Sequence, residues 1–169
     1  MAVRTETDYA VLRGVVGASL RGLARDQYLF NGRPSKDCDG SLEMRFDGRA
    51  VLLFLARDGE SVRAAVGELE IAPPFALDSG DTCAWERVDL GLDCEFGRLV
   101  SRTVVRVEAV IDAWAEPVGV EVVRGWVVRF AGGDFLAYLN FGDDSRLQLN
   151  QLLFHPDPAI RTWVEVIGE

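Results

Sequence analysis

The chain has 169 residues, 49% hydrophobic and 27% charged, with a formal net charge of −9. That length fits one domain or two small ones packed together, and the composition is that of a folded globular protein. The acidity is spread evenly, with 11 basic and 15 acidic residues through Gly91 and 7 and 12 after it, so no basic face for nucleic-acid phosphates is expected.

The longest apolar run, "AVLLFLA" at 50–56, is strand-length and well under the ~18 residues of a membrane-spanning helix. The opening "MAVRTETDYAVLRG" lacks the basic start and apolar stretch of a secretory signal. Cys38, Cys83 and Cys94 form no CxxC pair, and there is a single histidine. A zinc site is therefore not expected, and free thiols in a reducing cytoplasm are.

In chain order, "DYAVLRGVVGASLRGLARD" comes first and is ambiguous. Tyr9, Leu12, Val16, Leu20 and Leu23 have helical spacing, but Gly14, Gly17 and Gly22 each cost a helix about 1 kcal/mol. A strand with an irregular start is expected over 15–30. "LEMRF" then alternates, with Leu42, Met44 and Phe46 on one face and Glu43 and Arg45 on the other. Asp47-Gly48 reads as a two-residue turn, and "RAVLLFLA", apolar on both faces, as a central return strand. "RDGES" is the next hairpin tip, and a short helical piece is expected around "PPFALDSGDT".

In the second half, "TVVRVEAVIDAW" places Val105, Val107, Ala109, Ile111 and Ala113 on one side and Arg106, Glu108 and Asp112 on the other. "WVVRF", a Gly132-Gly133 turn and "DFLAYLNF" repeat the earlier hairpin, and a second short helical piece is expected at "FHPDPAIRTW".

Sliding the sequence against itself by 84 positions aligns Val15–Ser61 with the second half without a gap. Identities are few, but apolar positions coincide: Leu23/Val107, Leu42/Trp126, Met44/Val128, Phe46/Phe130, Val51/Phe135, Phe54/Tyr138 and Leu55/Leu139. A half of about 80 residues with one apolar sheet face cannot hide that face alone. The expected fold is all-β and mainly antiparallel, with at most short helices. Two repeats, 1–91 and 92–169, would pack as a sandwich or closed barrel with approximate twofold pseudo-symmetry. Phe46, Leu53, Phe130 and Leu139 are expected in its core, which is also the default place for Trp85, Trp114, Trp126 and Trp163.

Chemistry is sparse. His155 lies in a turn-like "FHPDP", no GxSxG occurs, and neither glycine-rich turn leads into a phosphate-cradling helix. "GGDF" and "FGDDS" read as solvated hairpin tips and not as a cation site. No catalytic set, cofactor or metal is expected, and an enzyme using Asp/Glu chemistry has no residue set to point to. The leading expectation is a non-enzymatic binding protein, a small acidic bacterial immunity or inhibitor protein that occludes a protein partner such as a basic toxin or effector. Its contacts would be the tip carboxylates Asp58, Glu60, Asp134, Asp143 and Asp144. The alternative is a carrier of a small apolar ligand, with Trp114, Trp126, Phe135 and Tyr138 lining its pocket.

Overall fold

A computed structural model describes residues 6–36, 39–114, 120–142 and 144–169, so Cys38 and Asp143 lie outside the described residues. The architecture is all-β and antiparallel. The first sheet comprises β1 (Gly22–Phe30), β2 (Arg33–Pro34), β3 (Leu42–Phe46), β4 (Arg49–Leu55), β5 (Val62–Val66), β6 (Phe75–Ala76) and β7 (Thr82–Asp89). Its order is β5-β4-β3-β1-β7-β6, with β2 paired to β1. The second comprises β8 (Val104–Trp114), β9 (Glu121–Phe130), β10 (Phe135–Asn140), β11 (Ser145–Leu149) and β12 (Ile160–Gly168), in the order β11-β10-β9-β8-β12.

The order β5-β4-β3-β1-β7 in one sheet thus matches β11-β10-β9-β8-β12 in the other, every pairing antiparallel. Leu23 stands opposite Met44, and Val107 opposite Val128, both displaced by 84 residues. The halves meet at Ser19 and Thr103, also 84 residues apart, whose hydroxyls lie 3.2 Å from each other. Around them Gly17 N–H donates to Val104 O at 2.8 Å and Ser101 N–H to Leu20 O at 2.7 Å, images of one another at that displacement. Leu20 N–H to Arg102 O and Val104 N–H to Ala18 O, both 2.9 Å, form a second such pair.

The correspondence slips by one residue in the return strand. Leu136 stands opposite Val128 as Val51 stands opposite Met44, and Tyr138 opposite Trp126 as Leu53 opposite Leu42. Phe135 and Tyr138 are therefore not the counterparts of Val51 and Phe54. The cause is turn length. Phe46 pairs with Arg49 across the two residues Asp47-Gly48, whereas Phe130 N–H reaches Asp134 O across three, Ala131-Gly132-Gly133. A one-residue change in a hairpin loop reverses which side chains face inward.

Three local expectations are corrected. The strand expected from residue 15 begins only at Gly22, and the helical spacing of Tyr9 and Leu12 belongs to α1 (Glu6–Arg13). Glu6 and Asp8 in its first turn and Arg13 in its last suit the helix dipole, and the helix stops before Gly14. Neither expected helical piece forms. Phe75 and Ala76 find cross-strand partners in β7, and Asp157, whose side chain accepts from Ala159 N–H at 2.9 Å, starts a turn that runs directly into β12. Short 3₁₀ helices occur instead between the sheets, at Leu90–Leu92 and Phe96–Leu99.

The inner faces share one core in which Leu23, Leu42, Met44, Phe46, Leu53, Val107, Trp126, Phe130 and Tyr138 are buried, with Tyr9 and Leu12 of α1 packed among them. Tyr9 meets the Trp126 ring edge-on at 5.5 Å. Leu139 is buried too, but in a second cluster with Val110, Val127 and Ala137, against which Leu152 packs. Of the four tryptophans only Trp126 is fully enclosed, while Trp85, Trp114 and Trp163 are half-buried. Val105 does not share the inward face of Val107, because the register shifts between Val104 and Arg106 and leaves it exposed.

The outward faces are covered as well, so Glu43, Glu108 and Asp112, which alternation assigns to the polar side, are buried. Glu43 shows how that is tolerated. It accepts hydrogen bonds from Arg87, from Arg45 Nε at 2.6 Å and from Leu69 N–H at 2.6 Å, the last pinning the segment that follows β5. In the second half Arg124 Nη1 donates to Leu153 O at 3.1 Å and pins the segment that follows β11. Cys83 is buried and Cys94 exposed, and neither is bridged.

Truncating Phe130 to alanine should cost about 3–5 kcal/mol in a denaturant series, as large core deletions do; a loss below about 1 kcal/mol contradicts the packing described. A second expectation concerns pH. Burial pushes the Glu43 carboxyl up, but the bonds from Arg87, Leu69 and Arg45 outweigh it and hold the group at about 2. A carboxylate with a depressed folded-state pKa stabilises the fold above its unfolded value, and loses that contribution as pH falls through the folded one. Glu43→Gln should therefore cost about 2–3 kcal/mol at pH 7, and the deficit should shrink between about pH 4.5 and pH 2.

Candidate functional site

Where the sheets meet before the start of β3, a cleft of about 180 Å³ opens between Asp26 and Tyr28 of β1, Leu55 of β4, Trp85 of β7, and Tyr138 and Ser145 of the second sheet. Gly40 and Ser41 complete it. Gly40 holds the halves together, its carbonyl accepting from the Tyr138 hydroxyl and the Ser145 hydroxyl, both at 2.7 Å. Only glycine fits there. Its φ is +72°, and a Cβ would lie 2.0 Å from Asp26 Oδ1 and 2.2 Å from the Asp26 carbonyl.

Asp26 is the one charged residue among the described residues lining the cleft. Its Oδ1 accepts from Ser41 N–H at 2.5 Å. Arg25, next in sequence, turns its Nη1 to the Asp39 carbonyl at 3.3 Å. Burial raises the pKa of the Asp26 carboxyl, against the Ser41 amide and the Arg25 charge that pull it down, and burial prevails.

The cleft continues onto an aromatic face. Tyr28 stands directly opposite Trp85, and Phe30, Cys83 and Phe75 form the adjacent row across β1, β7 and β6. Trp85 sits between Tyr28 at 5.2 Å and Phe75 at 5.9 Å, ring centre to ring centre. The Tyr28 hydroxyl donates to Cys83 Sγ at 3.1 Å, an interaction that raises the phenol's pKa. Phe30 is 42% exposed and Phe75 49%, and the segment carrying Phe75 also exposes Ile71 and Leu77.

A second cleft of about 110 Å³ is lined by Gly59, Glu60, Asp112, Trp114, Val122, Arg124, Asn140, Gly142 and His155. It is built around Arg124, the extra residue where Val110 pairs with Gly125 but Ile111 with Val123. Arg124 Nε donates to Asn140 O at 3.0 Å, its guanidinium lies 4.4 Å over Phe141, and Asp112 Oδ2 is 3.6 Å away. Burial lowers the Arg124 pKa while Asp112 raises it. Asp112 also accepts from the Thr162 hydroxyl at 2.6 Å, and Asn140 Nδ2 donates to Gly59 O at 2.8 Å. His155 Nδ1 accepts from Asp157 N–H at 3.0 Å. Each of these bonds ties strand ends or crossing segments to one another. Arg124 Nη2, enclosed and without a partner among the described residues, is out of reach of a ligand. This cleft is a strut.

The structure disperses the residues singled out from sequence. Asp58 is exposed but caps its own turn, accepting from Glu60 N–H, Ser61 N–H and the Ser61 hydroxyl at 2.8–3.0 Å. Asp134 is bound by Arg98 at 3.1 Å and by Asn150 Nδ2 at 2.8 Å. Glu60 is exposed at the rim of the Arg124 cleft, Asp144 is half-buried in the tip after β10, and Asp134 lies at the other end of that strand. The four pocket aromatics do not converge either. Trp126 is core, Tyr138 walls the Asp26 cleft, Trp114 lines the Arg124 cleft, and Phe135 lies 4.8 Å under the Arg129 guanidinium.

Sequence reasoning missed Asp26, Tyr28 and Trp85. The available signal was "DQYLF", where Asp26, Tyr28 and Phe30 fall on one face of a strand. Among the described residues no group of three or more His, Cys, Asp or Glu is placed to hold a metal ion, and no helix is long and apolar enough to cross a membrane. Compared with known protein families, curated proteins and solved structures, the chain shows no match to any of them.

The raised pKa of Asp26 has a stability consequence. A carboxyl whose folded-state pKa exceeds its unfolded value loses stability as pH rises between the two. Asp26→Asn keeps an acceptor for Ser41 and removes the buried charge. It should raise the thermal midpoint at pH 7, with the gain fading as pH falls through the raised folded-state value and gone by about pH 4; a lower midpoint at pH 7 contradicts this.

Proposed function

We propose that this chain is a non-enzymatic binding protein that engages a protein partner through the aromatic face of β1, β7 and β6. The observation that carries the reading is the cluster of Phe30, Tyr28, Trp85 and Phe75 in two adjacent rows, whose two phenylalanines stand nearly half exposed, with Ile71 and Leu77 exposed on the segment that carries Phe75. Scattered surface apolar residues are ordinary, but clustered rings on a rigid sheet are what interface centres are made of. The net charge of −9 favours a basic partner, attracted over a distance and then held by the rings. Glu60 and Asp144 contribute to that attraction and not to the contact itself.

A protein of this kind acts by covering its partner's working surface, as immunity and inhibitor proteins do, and needs no reactive group. A cytoplasmic place of action belongs to the same reading, supported by the unbridged Cys83 and Cys94. The shared strand order and the bonds that repeat at an 84-residue displacement support reading the halves as one unit used twice. On that reading the aromatic face is the part that the first half has specialised. A carrier of an apolar ligand is less well supported, because its four wall residues lie in different places.

The test is capture from an extract of the source cells by immobilised wild type and by the double variant Phe30→Ser/Phe75→Ser, compared by mass spectrometry. Wild type should retain a protein that the variant retains about tenfold less, a loss of about 1.4 kcal/mol, with little change in thermal midpoint. Capture should also slow between 0.1 and 1 M salt, as the screening length falls from about 10 to about 3 Å. Equal retention by both proteins removes the aromatic face from the binding surface.

A further inference from the structure

We propose that the cleft beside the aromatic face is a binding site for an alkylammonium group, its charge held by Asp26 and its carbon atoms by the rings of Tyr28, Trp85 and Tyr138. This goes beyond the protein-binding reading and stands without it.

Elimination gives the ligand class. An anion entering the cleft meets no cation among the described lining residues, only Asp26. Arg25, the nearest cation in sequence, is turned to the Asp39 carbonyl. A neutral apolar ligand would strip water from Asp26, whose charge burial already penalises by more than Arg25 offsets, a costly arrangement. A cation meets both needs. Aromatic faces attract cations through their ring quadrupole, and rings grouped around a quaternary or alkylated ammonium are a recurrent solution to its recognition. The charge of Asp26 adds to that attraction in a partly dry setting.

Size and rigidity agree. A cleft of about 180 Å³ has room for an ammonium carrying a few carbon atoms. Tyr138 is fixed by its bond to the Gly40 carbonyl, and Tyr28 by its bond to Cys83. Trp85 is wedged between Tyr28 and Phe75. The walls are therefore in place before any ligand arrives, which lowers the ordering cost of binding. Asp26 also fits the pattern of a group kept despite its cost to the fold, since burial works against its charge while the cleft is empty.

The same chemistry could come from a free organic cation or from a lysine side chain of a partner. Isotope-labelled protein should be titrated with choline, with its neutral isostere 3,3-dimethylbutan-1-ol and with N-acetyl-lysine methylamide. The indole N–H resonance of Trp85, assigned with Trp85→Phe, is the readout. At least one cation should shift it saturably, with a Kd about tenfold or more below that of the neutral alcohol. Tighter binding of choline identifies a free cation as the source, and tighter binding of the lysine derivative a partner's side chain. Asp26→Asn should weaken the binding about tenfold or more while its thermal midpoint stays equal or rises, so that loss of binding is not loss of fold. The proposal is overturned if the alcohol binds as well as the cations, if neither cation shifts the resonance, or if Asp26→Asn binds unchanged.

Discussion

Two five-strand ladders of the same order each carry one apolar face that must be buried, and each solves the problem by covering the other. The rest of the structure depends on that. The halves are joined where Ser19 faces Thr103, and the four backbone bonds around this point fix how the sheets cross. Helix α1 fills the remaining space with Tyr9 and Leu12. Clefts open before the start of β3, beside the extra residue Arg124 in β9, and at the β3–β4 hairpin among Arg45, Phe46, Arg49 and Glu68.

The outward faces carry a second constraint. Each ladder must send its chain from one edge strand to the other, and the crossing segments lie over buried charges, Glu43 in the first half and Arg124 in the second. Both charges are bonded to backbone groups of the segment they hold, so the segment becomes part of the fold and not a loose loop. The Arg124 and Asp26 clefts then differ in kind. The Arg124 cleft ties most of its polar groups to one another and to backbone carbonyls, whereas the Asp26 cleft keeps, among its described lining residues, a single carboxylate among rings. That difference is the ground on which we propose recognition for one and support for the other.

Much of the ladder structure was legible in the residues. The alternation of "LEMRF" and of "TVVRVEAVIDAW" gives strands at the right places, and Phe46, Leu53, Phe130 and Leu139 are all buried. Period-2 alternation does not tell which polar residues are exposed, because a segment distant in sequence can cover them. Glu43 therefore looks like a solvent-facing residue until the segment after β5 is in place, and Glu108 and Asp112 until Arg129 and Thr162 pair with them. The one-residue slip in β10 was hidden because a gap-free alignment cannot register a longer turn. The site was least legible of all. Asp26, Tyr28, Trp85 and Tyr138 come from three strands of one sheet and its neighbour, and none belongs to a motif. The tip acids attracted notice because they are adjacent in sequence, yet Asp58 caps its own turn and Asp134 is bonded to Arg98 and Asn150.

The central claim is that recognition lies on the aromatic face and its cleft, not on the hairpin tips. Amide hydrogen exchange of the chain, alone and saturated with its captured partner, tests this most directly. Protection should concentrate in residues 26–30, 75–77 and 82–86, with residues 58–60, 142 and 144 little changed. Protection confined to the hairpin tips, with the aromatic strands exchanging as in the free protein, would contradict the account.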